Sequence, residues 1–206
     1  LTFIASIEAI LEADAIPVVI DIDPLTWNID PKLIEKAITP KTKAIVVMHY
    51  GGVACQMELI MKLADRFGLF VVEDAAQAIG SYYLEKPLGS FGHLACFSFH
   101  ETKNIISGEG GLLVINDERF VERAEIIWEK GTNRSAFFRG EVNKYGWVDV
   151  GSSFLPSDMI AAFLYAQLEN LVDIQNKRKM IWEAYYNGLQ HLETKGLLRL
   201  AKIPDF

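Results

Sequence analysis

Four short runs rich in Val and Ile most constrain what this chain can fold into. They are IPVVIDI (16–22), KAIVVMHY (43–50), LFVVED (69–74) and LACFSF (94–99). Each is nearly continuous in its hydrophobicity and is bounded by polar or turn residues. Such runs suit strands buried on both faces, which occur in parallel sheets covered by helices. Helical patterns separate them. In QMELIMKLADRFG (56–68), Met57, Ile60, Met61 and Ala64 share one face and Gly68 supplies a stop. RFVERAEIIWEK (119–130) behaves similarly ahead of Gly131, the opening TFIASIEAILEAD reads as another helix, and GGLLVIND (110–117) adds a strand. The alternation predicts an α/β fold with a mostly parallel sheet.

The pattern changes after Pro156. Ile160, Phe163, Leu164, Leu168 and Leu171 recur at helical offsets, and Ile181, Ala184, Tyr185, Leu189 and Leu192 repeat them. This stretch exceeds an ordinary globular helix, so it predicts two helices or one kinked one, with Ser157 capping the start and Gly196 the end. The expected division is a large domain over 1–156 and connecting helices over 157–206. Segment 131–156 is polar, aromatic and irregular, and a loop of that length is expected to be functional. The chain begins with Leu in mid-pattern and ends at AKIPDF as a new segment opens, so it reads as a fragment of a longer protein.

Charge and cysteine usage narrow the function. Lys and Arg number 20 against 27 Asp and Glu, a net charge of −7. An acidic chain repels phosphate backbones, which excludes nucleic acid as the expected partner but not one phosphorylated small molecule held by local donors. No apolar run approaches the roughly 20 residues that span a bilayer, and no signal peptide is visible, so a cytoplasmic protein without membrane contact is expected. Cys55 and Cys96 form no disulfide framework and fit a reducing compartment. His93 and Cys96 make one His-x-x-Cys pair where a zinc site needs two, so no metal is expected.

In open α/β sheets, ligands bind beyond the carboxyl ends of the strands. Asp74 follows one predicted strand, Gln77 lies one helical step further, and Lys103 follows another. A lysine amine and a carboxylate on neighbouring strand ends suit pyridoxal 5'-phosphate, whose aldehyde needs the amine and whose pyridine nitrogen needs the acid. Ordinary readings stand beside these: a surface lysine, a helix-capping Asp, and SGEGG as a turn or anion nest. SGEGG is no P-loop, because no Lys-Ser/Thr follows it. Asp21 and Asp23 end a strand as a ribose-binding acid would, yet no dinucleotide glycine fingerprint precedes them. From the residues alone the reading is an α/β enzyme with a possible lysine cofactor site.

The stretch VVEDAAQAIGSYYLEKPLGSFGHLACFSFHETKNIISGEGG resembles the core signature of the DegT/DnrJ/EryC1/StrS sugar aminotransferases, a family with the aspartate-aminotransferase fold (fold type I). TFIAS, DIDPLTWNIDPKLIEKAITPKTKAIVVMHYGG and SDMIAAFLYAQLENL extend the resemblance over almost the whole chain. EKGTNRSAFFRGEVNKYGWVDVGSSFLPSDMIAA narrows it to the branch that forms dTDP-4-amino-4,6-dideoxygalactose for surface polysaccharides. The resemblance implies Lys103 as the Schiff-base lysine, Asp74 as partner of the pyridine nitrogen, Gln77 on the phenolic oxygen, Ala76 against the ring face and Ser98 on the phosphate. It implies L-glutamate as amino donor, a nucleotide-sugar substrate and a homodimer. Many members carry Gly-x-Asn-x-Arg before the helix at 157, the Asn reaching a neighbouring subunit's cofactor phosphate. Here the stretch is GSSFL, so Ser153 replaces the Asn and Leu155 the Arg, and a hydroxyl still donates to phosphate. Arg134, Lys144, Tyr145 and Trp147 in the irregular loop are candidates for the substrate's diphosphate or base, with a solvent-exposed role as the alternative. Competing readings are a family transaminase acting at C3 or on a UDP-sugar, an NAD-dependent oxidoreductase, and a non-catalytic remnant. Lys103 argues against the dehydratase branch, which carries His there.

Overall fold

The computed structural model describes residues 1–204; the last two residues of the expected 157–206 division lie outside the described residues. Helix α1 (Ile4–Glu12) opens the chain, and a short α2 (Pro31–Ala37) follows, its start capped by Asp30, whose side chain accepts from Lys32 N. Strand β1 (Ala44–Met48), helix α3 (Met57–Phe67) and strand β2 (Phe70–Asp74) form a strand–helix–strand unit with β1 and β2 parallel. A two-stranded hairpin, β3 (Tyr82–Tyr83) and β4 (Lys86–Pro87), leads into β5 (Leu94–Ser98), parallel to β2, and β6 (Gly111–Ile115) returns antiparallel to β5. The four long strands lie in the order β1-β2-β5-β6. Helices α4 (Val121–Trp128) and α5 (Arg134–Phe138) come next, then α6 (Asp158–Glu169) and α7 (Leu171–Thr194). The expected α/β class therefore holds, with one strand reversed. The long C-terminal pattern divides into two helices at Asn170, and Ser157 Oγ accepts from Ile160 N at its start.

Burial shows which sheet face is covered. Ile45 and Val47 of β1, and Val71 and Glu73 of β2, point to the closed face, where Met57, Ile60 and Ala64 of α3 and Ile34 of α2 are buried against them. Val46, Met48, Val72 and Asp74 on the opposite face are only half-buried. The continuous apolar pattern predicts two covered faces, and the described residues cover one. Helices α6 and α7 contain no buried residue. A side-chain bond from Gln175 Nε2 to Ile79 O, 2.6 Å, ties α7 to the sheet domain.

One expected strand is not formed. IPVVIDI (16–22) has no ladder partner; only Ile22 bridges to Ile29, and Ile16 is 89% exposed. A strand is defined by the neighbour that pairs with its backbone, and among the described residues only the 29–30 backbone meets this run, at its last two residues. Two helices lie outside the expected set. Both α2 and α5 are too short to show a periodic stripe.

Glu73 is the buried charge on which the closed face is organised. Its side chain has no solvent exposure. Oε2 accepts from Gly89 N at 2.8 Å and meets His49 Nε2 at 2.9 Å; Oε1 accepts from Phe91 N at 2.7 Å and Gly92 N at 2.6 Å. His49 Nδ1 accepts from Cys55 N at 3.1 Å, so its ring proton sits on Nε2 and is donated to Glu73. Burial alone would push the Glu73 carboxyl up. The bonds from His49, Gly92 and Gly89 outweigh burial and hold it below the ordinary 4.5.

A carboxyl depressed by folding stabilises the native state above its ordinary pKa, and that stability is lost as pH falls through the folded value. Glu73→Ala should remove the acceptor of four donors and lower the unfolding free energy by at least about 3 kcal/mol at neutral pH, measured by urea denaturation. The difference between parent and Glu73→Ala should shrink as the pH is taken well below 4.5.

Candidate functional site

Lys103 sits on the excursion between β5 and β6, just past the carboxyl end of β5. The neck of that loop is closed by Phe99 N to Gly110 O at 2.8 Å, Glu101 N to Gly108 O at 2.9 Å and Ser107 N to Phe99 O at 2.7 Å. Ile105 is fully buried and anchors the far leg. Lys103 N donates to His100 O at 2.9 Å, which fixes the turn carrying the lysine. Gly110 has φ +154°, and a Cβ there would meet Ser107 Oγ at 2.7 Å, so the glycine cluster lets the chain close behind the lysine and enter β6. Among the described residues the Lys103 ammonium has no hydrogen-bond or ion-pair partner.

Asp74 ends β2, the strand directly beside β5; its register partner is Cys96. The carboxylate and the lysine-bearing loop thus leave the same edge of adjoining strands. Asp74 Oδ1 accepts from Ala76 N at 3.1 Å, and Oδ2 accepts from Ser6 Oγ at 2.6 Å. Gln77 follows in the same turn, and its Oε1 accepts from Gly51 N at 2.6 Å. That bond leaves the Gln77 NH₂ as the outward group, a donor. Ser98, on the last residue of β5, accepts from His100 N at 3.3 Å and keeps its own hydroxyl proton. An unengaged amine, a held carboxylate, an amide donor and a hydroxyl donor form a set that suits a pyridine ring with a phenolic oxygen and a phosphate. The chemistry of the residues present therefore fits pyridoxal phosphate.

The 129–154 segment forms a second group folded back on α4. Lys130 N donates to Ser152 O, Ser152 N to Ile127 O and Phe154 N to Trp128 O, while Arg123 pairs with Asp149. Ser153 bridges Glu129, and Trp147 bridges Thr132. Arg134 reaches Glu129 Oε1 at 3.5 Å and stands 5.3 Å above the Phe138 ring. Tyr145 tilts against Phe137 at 6.2 Å, and the Lys144 carbonyl accepts from Asn133 Nδ2 at 3.0 Å. Lys144, Tyr145, Trp147 and Ser153 are exposed. No hydrogen bond or ion pair among the described residues links this group to Asp74, Gln77, Ser98 or Lys103. Asp74, Gln77, Ser98 and Lys103 thus follow or end two neighbouring parallel strands at their carboxyl ends, while the loop candidates belong to the group folded on α4.

Four residues of the site region escape sequence reasoning. Ser6 reaches Asp74 across 68 residues. Glu73 and His49 lock the strand end beneath Asp74. Asn28 is buried, donates from Nδ2 to the Val53 and Ala54 carbonyls, and accepts from Tyr50 N, so it shapes the turn that presents Gly51 to Gln77. An Asn between apolar segments carries no distinctive signal. A Glu inside an apolar strand does, because a buried carboxylate must find donors.

Comparison with known proteins follows the same lines. The sequence model of the DegT/DnrJ/EryC1/StrS aminotransferase family matches residues 1–205. The chain is 38% identical over 195 residues to the spore coat polysaccharide biosynthesis protein SpsC of Bacillus subtilis, which covers 93% of this chain and 50% of that protein. The X-ray structure of an aminotransferase from Psychrobacter cryohalolentis superposes with a TM-score of 0.90 at 34% identity, over 98% of this chain and 52% of that one. DesI, crystallised in the presence of its TDP-sugar product, superposes with a TM-score of 0.73 at 32% identity, over 84% of this chain and 42% of that one. The fold is that of these aminotransferases, and the chain spans about half the length of the curated relative it matches.

Gly131 is the tightest backbone contact of the loop group. Gly131 has φ +77°, and a Cβ there would lie 1.8 Å from Asp149 O. Its carbonyl accepts from Val148 N at 2.8 Å and Asp149 N at 3.0 Å. Gly131→Ala should spring the 146–151 segment off α4. Hydrogen exchange at the Val148 and Asp149 amides should then rise at least about ten-fold, a loss of about 1.4 kcal/mol of local protection, while the Glu73-bound amides stay protected.

Proposed function

The chain belongs to the DegT/DnrJ/EryC1/StrS aminotransferase family, and we propose that it is the cofactor-bearing part of a pyridoxal-phosphate-dependent nucleotide-sugar aminotransferase. The reaction moves an amino group from L-glutamate to C4 of dTDP-4-keto-6-deoxy-D-glucose. The product is dTDP-4-amino-4,6-dideoxy-D-galactose, a precursor of cell-surface polysaccharide such as lipopolysaccharide or enterobacterial common antigen. The protein is a cytoplasmic homodimer in this reading, with residues 1–156 as the large cofactor domain and 157–206 as helices leading to a second one. The observation that carries the reading is the unengaged Lys103 amine beside the Asp74 strand end. The choice of C4 and of the dTDP-sugar rests on the 129–162 segment's likeness to one branch of the family, and DesI, a structural neighbour, was crystallised with a TDP-sugar.

When bound, the cofactor supplies an electron sink that stabilises negative charge at the carbon losing its proton. The chain's residues do the rest. Lys103 is the covalent anchor; once displaced, its amine takes the Cα proton of glutamate as general base and later delivers a proton to C4 of the sugar. The face it uses sets the galacto configuration. Asp74 holds the proton on the pyridine nitrogen. Gln77 donates its amide N–H to the phenolic oxygen, Ala76 sets a methyl against the ring face and Ser98 donates to the phosphate. Ser153 extends to the phosphate of the neighbouring subunit's site. Arg134, Lys144, Tyr145 and Trp147 serve the diphosphate and base of the sugar nucleotide.

Lys103→Ala in the holoprotein should abolish the visible absorbance of lysine-bound cofactor and cut turnover by about 10²–10⁴-fold or more, and normal turnover would remove the lysine from the mechanism. Asp74→Asn should retain cofactor and lose most turnover. Assay with glutamate against dTDP- and UDP-keto-sugars, with products identified by NMR, should yield the 4-amino galacto product from the dTDP-4-keto substrate. A 3-amino product or a UDP-sugar preference would assign the chain to another branch.

A further inference from the structure

The carboxylate of Asp74 is held from a helix far away in sequence. Ser6 Oγ lies 2.6 Å from Asp74 Oδ2. A carboxylate only accepts, so Ser6 spends its one proton on this bond. The separation falls in the range of charge-assisted O–H···O⁻ contacts. Thr2 Oγ1 stands 3.1 Å from Ser6 Oγ and donates to one of its two lone pairs, with the Phe3 carbonyl at 3.4 Å as the more distant acceptor. Ala76 N secures the second carboxylate oxygen at 3.1 Å, so the carboxylate plane is defined at both ends.

We propose that Ser6 is a positioning residue for the cofactor acid. Its hydroxyl fixes the orientation of the Asp74 carboxylate, the group that faces the pyridine nitrogen in that reading. The inference rests on the reading of Asp74 given above. Two features separate this bond from ordinary packing. Helix α1 contains no buried residue, so Ser6 is not placed there by a core that would hold it anyway. The bond also goes to the one carboxylate at this strand end that points away from the closed face; its neighbour Glu73 is saturated by other donors. Thr2 orients the Ser6 hydroxyl in turn, so a relay of two hydroxyls ends at Asp74 Oδ2.

Ser6→Thr and Ser6→Val have nearly the same shape and helix propensity, and only the first keeps a hydroxyl. Both variants, with Asp74→Asn alongside, are compared as holoprotein. The readouts are the dissociation constant for pyridoxal phosphate by equilibrium dialysis, the pH titration of the bound cofactor's visible absorbance, and kcat and KM for L-glutamate. Ser6→Thr should stay within about two-fold of the parent. Ser6→Val should weaken cofactor binding by about ten-fold, the fold-change expected for one hydrogen bond to a charged group, and should shift the absorbance titration. Its kcat should fall with KM for glutamate little changed. If the Thr and Val variants behave alike, whether both normal or both impaired, the inference is overturned. If Asp74→Asn moves the absorbance titration while that pair does not differ, only the role of Ser6 falls. If Asp74→Asn leaves cofactor affinity and titration unchanged, the reading of Asp74 falls first and takes this inference with it.

Discussion

A carboxylate without solvent, Glu73, is the constraint from which the site region follows. Desolvating a charge is costly unless its lone pairs are filled. Here four donors fill them, three from the backbone of the 89–92 turn and one from His49. Each donor is thereby fixed in turn. The 89–92 turn is pinned under β2, and Asn116 Nδ2 bonds the Gly89 and Gly92 carbonyls from beyond β6. His49 pins the Cys55 amide, and with it the entry to α3. A saturated carboxylate at position 73 holds the end of β2 in one place. The next residue, on the other face by strand alternation, is Asp74. The acid proposed to meet the cofactor inherits its position from the acid that meets nothing but the protein.

The fold was legible where information is local. Helix α3 shows its stripe and ends at Gly68, a break or kink somewhere in the long C-terminal stretch follows from length, and the strands at 44–48, 70–74 and 94–98 are runs too short and too apolar for helices. It was not legible where a partner decides. IPVVIDI has the composition of a strand, yet among the described residues no backbone pairs with it beyond its last two residues. The antiparallel return of β6 has no mark in GLLVI, because direction depends on a loop rather than on a strand's own residues. The expectation of two covered faces failed for a related reason. Composition reports what a strand can bury, while only the assembled elements show what does the burying.

The candidate site divides along the same line. Asp74 and Lys103 could be proposed from sequence because ligands of open α/β sheets bind beyond the carboxyl ends of the strands, and their strands prove to be neighbours. Ser6 could not be read. A serine in the first turn of a helix is unremarkable, and its bond to Asp74 exists only because α1 is set against the end of β2. The loop candidates were chosen for their chemical types alone. The fold seats them on α4, with their side chains largely in solvent.

Unspent valence separates the structural polar groups from those proposed to act. Glu73 and Asn28 are buried and have their principal donors and acceptors matched within the chain, so neither offers a ligand anything. Asp74 accepts two bonds where a carboxylate has about four lone-pair sites. Gln77 uses its oxygen on Gly51 and keeps its amide protons. Ser98 accepts one bond and keeps its proton. The Lys103 amine has no partner among the described residues. Asp74, Gln77 and Ser98 are each oriented by the protein through one part of their hydrogen-bonding capacity and leave the complementary part free, while Lys103 is placed by its loop alone. Orientation is therefore established before any ligand arrives, which is the condition under which a bound group gains full strength from each contact. A surface lysine or a helix-capping Asp explains one such residue, but neither explains three half-satisfied groups and an unengaged amine at the carboxyl ends of two adjoining strands.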